Sequence, residues 1–211
     1  MSNPKLAAPE LAAIEINGHT RQAFILRGAV AAGSVYGLAT VGPFVAQAMA
    51  QGGDGDVEIL NFALTLEFLE AAYYEQALAK TTLSSEAKSL ATEIQANEAE
   101  HVEALKATIK QLGGKPVAAP GVDFGKAFAN EKSFLKLAQT FEDTGVSAYN
   151  GVAPQIQSTE VLAAAGGIVQ VEARHAAAIR LLRGENPAPD AFDMTLTVDE
   201  VLKAVKPFVK A

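Results

Sequence analysis

The sequence predicts an all-α protein. It is a four-helix bundle with a long crossover between helices two and three, a short C-terminal helix and an N-terminal hydrophobic segment. Three observations carry this. Four segments after Asp56 repeat apolar residues at alternating spacings of three and four, the pattern of a helix with one buried face. Helix-start and helix-stop residues bound these segments. The second and third are separated by GGKPVAAPGVDFGKAFANE, residues 113–131, too long for a tight hairpin and carrying two prolines, whereas the other two connections are short.

The first helix is expected over about 56–80, with the stripe Leu60, Leu64, Glu67, Ala71, Tyr74, Leu78. The second, about 84–112, opens at Ser84 and Ser85, which are good N-caps, and stops at Gly113-Gly114 before Pro116. Its stripe is Leu90, Ile94, Glu98, His101, Leu105, Thr108, Leu112. The third, about 131–152, carries Leu135, Ala138, Glu142, Gly145, Tyr149 and Val152, with Pro154 at or near its end. The fourth, about 158–183, starts at Ser158-Thr159-Glu160 and stops at Gly184 before Pro187. Its stripe is Val161, Ala165, Ile168, Glu172, His175, Ile179, Leu182. The tail from 186 to 211 holds a fifth, short helix starting near Thr197 that packs on the bundle.

The formal net charge of the 211-residue chain is −7 and its lysines are scattered. That excludes a nucleic-acid surface, which needs clustered positive charge. The chain has no cysteine, which removes disulfides, zinc knuckles and thiol catalysis and leaves oxygen and nitrogen as metal ligands.

Every stripe is interrupted near its middle by a glutamate: Glu67, Glu98, Glu142 and Glu172. In helices two and four a histidine follows one turn later, His101 and His175. The set is duplicated. Glu67 and Glu142 stand 75 residues apart, as do Tyr74 and Tyr149, while Glu98 to Glu172 and His101 to His175 each span 74. Such a repeat implies two helix pairs about an approximate two-fold axis. One Glu-x-x-His is weak evidence of a metal site. Here the only two histidines of the body both carry it, a coincidence of roughly one in 150 by composition.

Four carboxylates converging in a bundle core need partners, because each unpaired buried charge costs several kcal/mol. No lysine or arginine lies on any stripe. Two divalent cations would neutralise the four and take the neutral imidazoles as ligands, and an oxygen–nitrogen donor set suits iron or manganese. The bland counterpart is a bundle that kept the geometry and lost the metal, its carboxylates protonated and bonded to each other and to Tyr74 and Tyr149. Glu70, three residues after Glu67, competes with it as a ligand. The duplicated spacing to the tyrosine favours Glu67 and leaves Glu70 in the surrounding shell or on the surface. Asp143 is expected to point away, Arg174 and Arg180 to flank helix four, and Glu93, Glu100 and Glu103 to form a solvated face.

Residues 1–55 form a separate segment. TRQAFILRG (20–28) resembles a twin-arginine export signal with Gln22 where the second arginine stands. The uncharged stretch that follows is rich in Gly and Ala, and ends in the small-x-small sites Ala46-Gln47-Ala48 and Ala48-Met49-Ala50 and a Gly-rich linker. Its length also suits a retained membrane anchor through residues 23–50, since about 20 apolar residues span a bilayer. A third reading is an amphipathic or buried helix.

The stretches LNFALTLEFLEAAYYEQAL (60–78), EAEHVEALKATIKQLGGKP (98–116), FEDTGVSAYNGVAPQI (141–156), VEARHAAAIRLLRGENPAP (171–189) and AFDMTLTVDEVLKAVKPFV (191–209) resemble the ferritin-like superfamily. More narrowly, they resemble its exported, desiccation-related members. With the leader they cover nearly the whole chain. The resemblance implies a domain over 56–185 holding two Fe or Mn ions. Glu98 and Glu172 would bridge them, His101 and His175 would ligate one each, Glu67 and Glu142 would be terminal, and Tyr74 and Tyr149 would hydrogen-bond nearby. The expected activities are metal oxidation or peroxide and oxygen consumption; a non-catalytic envelope scaffold and an iron-storage cage are the counterparts. The expected setting is an exported, periplasmic homo-oligomer, or a membrane-anchored one, that does not bind nucleic acid.

Overall fold

A computed structural model of the chain describes residues 55–210. The leader-like segment, with its export and anchor readings, lies outside the described residues. The fold is an all-α bundle that has, among the described residues, five α-helices: α1 Asp56–Lys80, α2 Ser85–Gln111, α3 Glu131–Val152, α4 Thr159–Leu182 and α5 Val198–Val205. Among the described residues no helix is long and apolar enough to cross a membrane.

The helix starts follow from capping chemistry, in which a side-chain oxygen takes an otherwise unpaired backbone N–H. Ser84 accepts from Ala87 N at 3.2 Å and Ser158 from Val161 N at 3.2 Å. Asn130 with Ser133, and Thr197 with Glu200, form reciprocal capping boxes at the starts of α3 and α5.

α1 packs against α2 and α3 against α4, and across the centre α1 meets α3 while α2 meets α4. Polar side chains pin the connections. Asp56 accepts from Gln157 N at 2.7 Å and Ser158 N at 2.8 Å, tying the start of α1 to the turn between α3 and α4. The buried Asn61 accepts from Val117 N at 2.8 Å and so anchors the start of the crossover.

The stripes hold in the middle of each helix and drift at the ends. In α2 the buried end residue is Ile109, while Leu112 is 45 % exposed; in α4 Ile179 is buried and Leu182 half out. A period of 3.6 residues moves the core-facing position along a long helix faster than a strict three-four alternation does.

Two apolar clusters flank the polar middle. One holds Val57, Leu60, Leu64, Leu105, Ile109 and Val161. The other is aromatic and packs Tyr73 with Phe124, Phe134 and Phe141 at centroid separations of 5.0–5.6 Å. The tail closes this aromatic end: Val201, Leu202 and Val205 of α5 pack into it. Its last residues pair with the crossover through Asp123 N to Phe208 O (2.9 Å) and Lys210 N to Gly121 O (2.8 Å).

Candidate metal centre

Each helix of the bundle delivers one glutamate to the middle layer. Glu67 comes from α1, Glu98 from α2, Glu142 from α3 and Glu172 from α4, and all four are 0 % exposed. His101 and His175 follow Glu98 and Glu172 by three residues, and so share their helix faces. Both are buried. His101 Nδ1 lies 3.2 Å from Glu67 Oε2, 3.1 Å from Glu98 Oε2 and 3.1 Å from Glu172 Oε1. His175 Nδ1 lies 3.0 Å from Glu98 Oε1 and 3.2 Å from Glu142 Oε2.

Ligand atoms of Glu67, Glu98, His101 and Glu172 all fall within 4.8 Å of one another, and so do those of Glu98, Glu142, Glu172 and His175. The two quartets share Glu98 and Glu172. Tyr149 donates to Glu67 Oε1 at 2.5 Å, and Tyr74 donates to Glu142 Oε1. Each tyrosine thus reaches the carboxylate of the other helix pair.

Burial sets the electrostatics. It drives Glu67 up to about 8, against the pull of His101, and holds Glu142 and Glu172 above the ordinary carboxylate range. Burial also works against Glu98, but the two imidazoles beside it outweigh this and leave Glu98 lowered. Desolvation disfavours the charged imidazoles too. The surrounding carboxylates more than offset it, so His101 rises to about 12 and His175 to about 10.

A model of the ferritin-like domain matches residues 55–185. The chain belongs to the ferritin-like domain family. A comparison with curated proteins gives no match.

The residues of this ferritin-like domain fit bound metal ions on two observations. Glu98 Oε1 and both oxygens of Glu172 are buried and accept no hydrogen bond, although His175 and His101 stand within ion-pair distance of Glu98 Oε1 and Glu172 Oε1. An imidazole Nδ1 carries at most one proton, so His101 can donate to only one of the three oxygens around it. Further, cations that bind oxygen and nitrogen at roughly 2.1 Å hold neighbouring octahedral ligands about 3.0 Å apart. The Nδ1–oxygen distances of 3.0–3.2 Å are of that size.

The six side chains picked out as ligands therefore converge, with both tyrosines bonded to their carboxylates. Asp143 points away and takes Arg180 Nη2 at 2.7 Å, while Glu93, Glu100, Glu103 and Arg174 are exposed. Of the two places left open for Glu70, the structure gives the buried one: it is 3 % exposed beside the cluster. Burial, then repulsion from Glu172, raises its carboxyl well above the ordinary range.

Asn97 is an addition that the stripes do not reveal. Its amide lies 3.0 Å from His175 Nε2, so it can fix the ring and its tautomer. Asn97 sits immediately before Glu98 and beside the stripe, where spacing alone marks nothing. Glu70 did leave a signal. Its counterpart in the second half, 75 residues on, is Gly145.

Proposed function

We propose that this ferritin-like domain is a dinuclear carboxylate protein that holds two divalent ions of iron or manganese. Glu98 and Glu172 are the shared ligands, Glu67 with His101 completes one position, and Glu142 with His175 completes the other. The observation that carries the reading is the pair of buried quartets sharing two carboxylates. Such a pair, when bound, supplies one-electron redox steps toward dioxygen or peroxide, and metal oxidation or peroxide removal is the activity proposed.

The chain's own residues prepare for this. Four carboxylates match the charge of two divalent ions, in a layer from which the flanking apolar clusters exclude water. Tyr74 and Tyr149 hold Glu142 and Glu67 by one oxygen each and leave the other free to ligate. Loading requires the protons on the imidazole Nδ1 atoms and on the raised carboxyls to leave, so uptake is coupled to proton release. The narrower likeness to exported, desiccation-related members supports a protective role outside the cytoplasm, in an oligomer, with residues 1–55 as leader or anchor.

Elemental analysis of the purified chain tests the reading. About two Fe or Mn per chain are expected from the two ligand sets. Less than about a tenth of that after anaerobic reconstitution overturns the proposal.

A further inference from the structure

The two helix pairs repeat their ligands but not everything around them. At the position where α1 carries Glu70, the equivalent position of α3 carries Gly145. The two meet in space. A Cβ on Gly145 would fall 3.3 Å from Glu70 Oε1, tighter than ordinary van der Waals contact, and 3.4 Å from Glu172 Oε2. The missing side chain on α3 thus makes the space into which the carboxylate from α1 reaches.

Gly145 lies one turn after Glu142, so Glu70 crosses the bundle toward the α3–α4 half. The repulsions it feels agree: Glu172 first, then Glu142, ahead of Glu98 and Glu67. Tyr74 and Tyr149 donate to Glu142 and Glu67, whereas the charged neighbours that act most on Glu70 are all carboxylates. A carboxylate buried against a cluster of carboxylates is stable only if a cation or a proton joins them.

We propose that Glu70 is a fifth carboxylate of the centre, added to one half only, so that the two cation positions are unequal. The position that Glu142 and His175 complete takes the first ion. The position that Glu67 and His101 complete, on the same shared Glu98 and Glu172, fills second, against the charge already there. The inference rests on the dinuclear reading above and deepens it: pseudo-symmetric ligands would load two equivalent positions, whereas Glu70 opposite Gly145 sets an order. Affinity at an oxygen-donor site follows the count of charged ligands.

Calorimetric titration of the metal-free chain with Mn²⁺ tests this. Wild type is expected to bind two ions in two steps separated by about tenfold or more in Kd, the scale on which a supporting group changes metal affinity. His175→Ala removes the tighter step and His101→Ala the weaker one. Glu70→Gln, which keeps the shape and removes the charge, weakens the tighter step about tenfold and brings the steps together at unchanged stoichiometry. Glu70→Asp, which keeps the charge but withdraws it by one methylene, weakens it less. Circular dichroism establishes that each variant is folded.

The exchange variant Glu70→Gly with Gly145→Glu should hand the tighter step to the half containing His101. Two equal steps in wild type, or Glu70→Gln and Glu70→Asp with both constants unchanged, overturn the inference and leave the dinuclear reading standing. A wild-type chain that takes up no ion overturns both.

Discussion

The two helix pairs carry the same chemistry in different settings. At the centre they match residue for residue: Glu67 with Glu142, Tyr74 with Tyr149, Glu98 with Glu172, His101 with His175. Around the centre they diverge. Where α1 has Glu70 and Tyr73, α3 has Gly145 and Ala148 at the same 75-residue offset. Tyr73 is fully buried, donates to Phe134 O at 2.7 Å and sits among Phe124, Phe134 and Phe141. Ala148 is buried in the same cluster. At these two positions the larger residue is on α1, whereas at Ile59 with Phe134 and Leu66 with Phe141 it is on α3. Four helices crossing near one axis cannot all present long side chains at one level, so bulk on one half is matched by its absence at the equivalent place on the other.

The largest test acts on what the halves share. Adding Mn²⁺ at about a thousand times Kd should stabilise the folded chain by about 4 kcal/mol per ion. For a domain of this size that raises Tm by more than about 15 °C when both ions bind. Glu98→Ala or Glu172→Ala should abolish nearly all of the gain because each serves both quartets. Glu67→Ala should remove about half of it, and scanning calorimetry with and without metal separates the two outcomes.

The next test acts on what they do not share. Tyr73→Ala should cost about 4 kcal/mol by leaving a cavity in the aromatic cluster. Its counterpart Ala148→Gly should cost about 1 kcal/mol through backbone entropy in a helix. Denaturant melts that give equal costs would break the comparison.

A pH series on the metal-free chain comes third. Glu67, raised from 4.5 to about 8, destabilises the fold progressively as pH climbs through that interval. His101 and His175 rise from 6.5 to about 12 and about 10, so their stabilisation is complete below 6.5 and lost as pH rises toward 10. Glu98 is lowered, and its contribution is lost only as pH falls below the ordinary carboxylate range. Between pH 5 and 9 the first three act together, so Tm of the metal-free chain should fall by several degrees. A bound ion takes the place of those protons, so the metal-loaded chain should lose the trend.

The smallest effect belongs to the flank. Asp143→Asn breaks a partly exposed pair with Arg180 and should cost less than about 1 kcal/mol with metal binding unchanged.

The bundle and the six side chains that converge inside it were legible because both rest on periodicity. A glutamate on the apolar stripe of each of four helices must face the other three once the stripes pack together. A stripe says less where a helix is buried on several faces. α1 buries Phe62, Leu66, Leu69 and Tyr73 as well as Leu64 and Tyr74, so Glu70 lies inside although it is off the assigned stripe. Asn97 was hidden for a related reason: an outer hydrogen bond to an imidazole depends on the rotation of two helices, which no single-helix pattern encodes. Tertiary contacts to the tail are equally silent in the sequence.

One of those contacts has a consequence for how the molecule meets its neighbours. Leu196 crosses α3 at Gly151, donating its N–H to Ser147 O at 3.1 Å. A Cβ on Gly151 would fall 1.9 Å from the Leu196 carbonyl oxygen. That crossing fastens the strap that lays α5 and Phe208 over Phe124 and Phe141. The absence of one methyl group therefore governs surface stickiness: with the strap lifted, the aromatic end would lie open to other chains, and a Glu/His cluster still intact inside would belong to an aggregating protein.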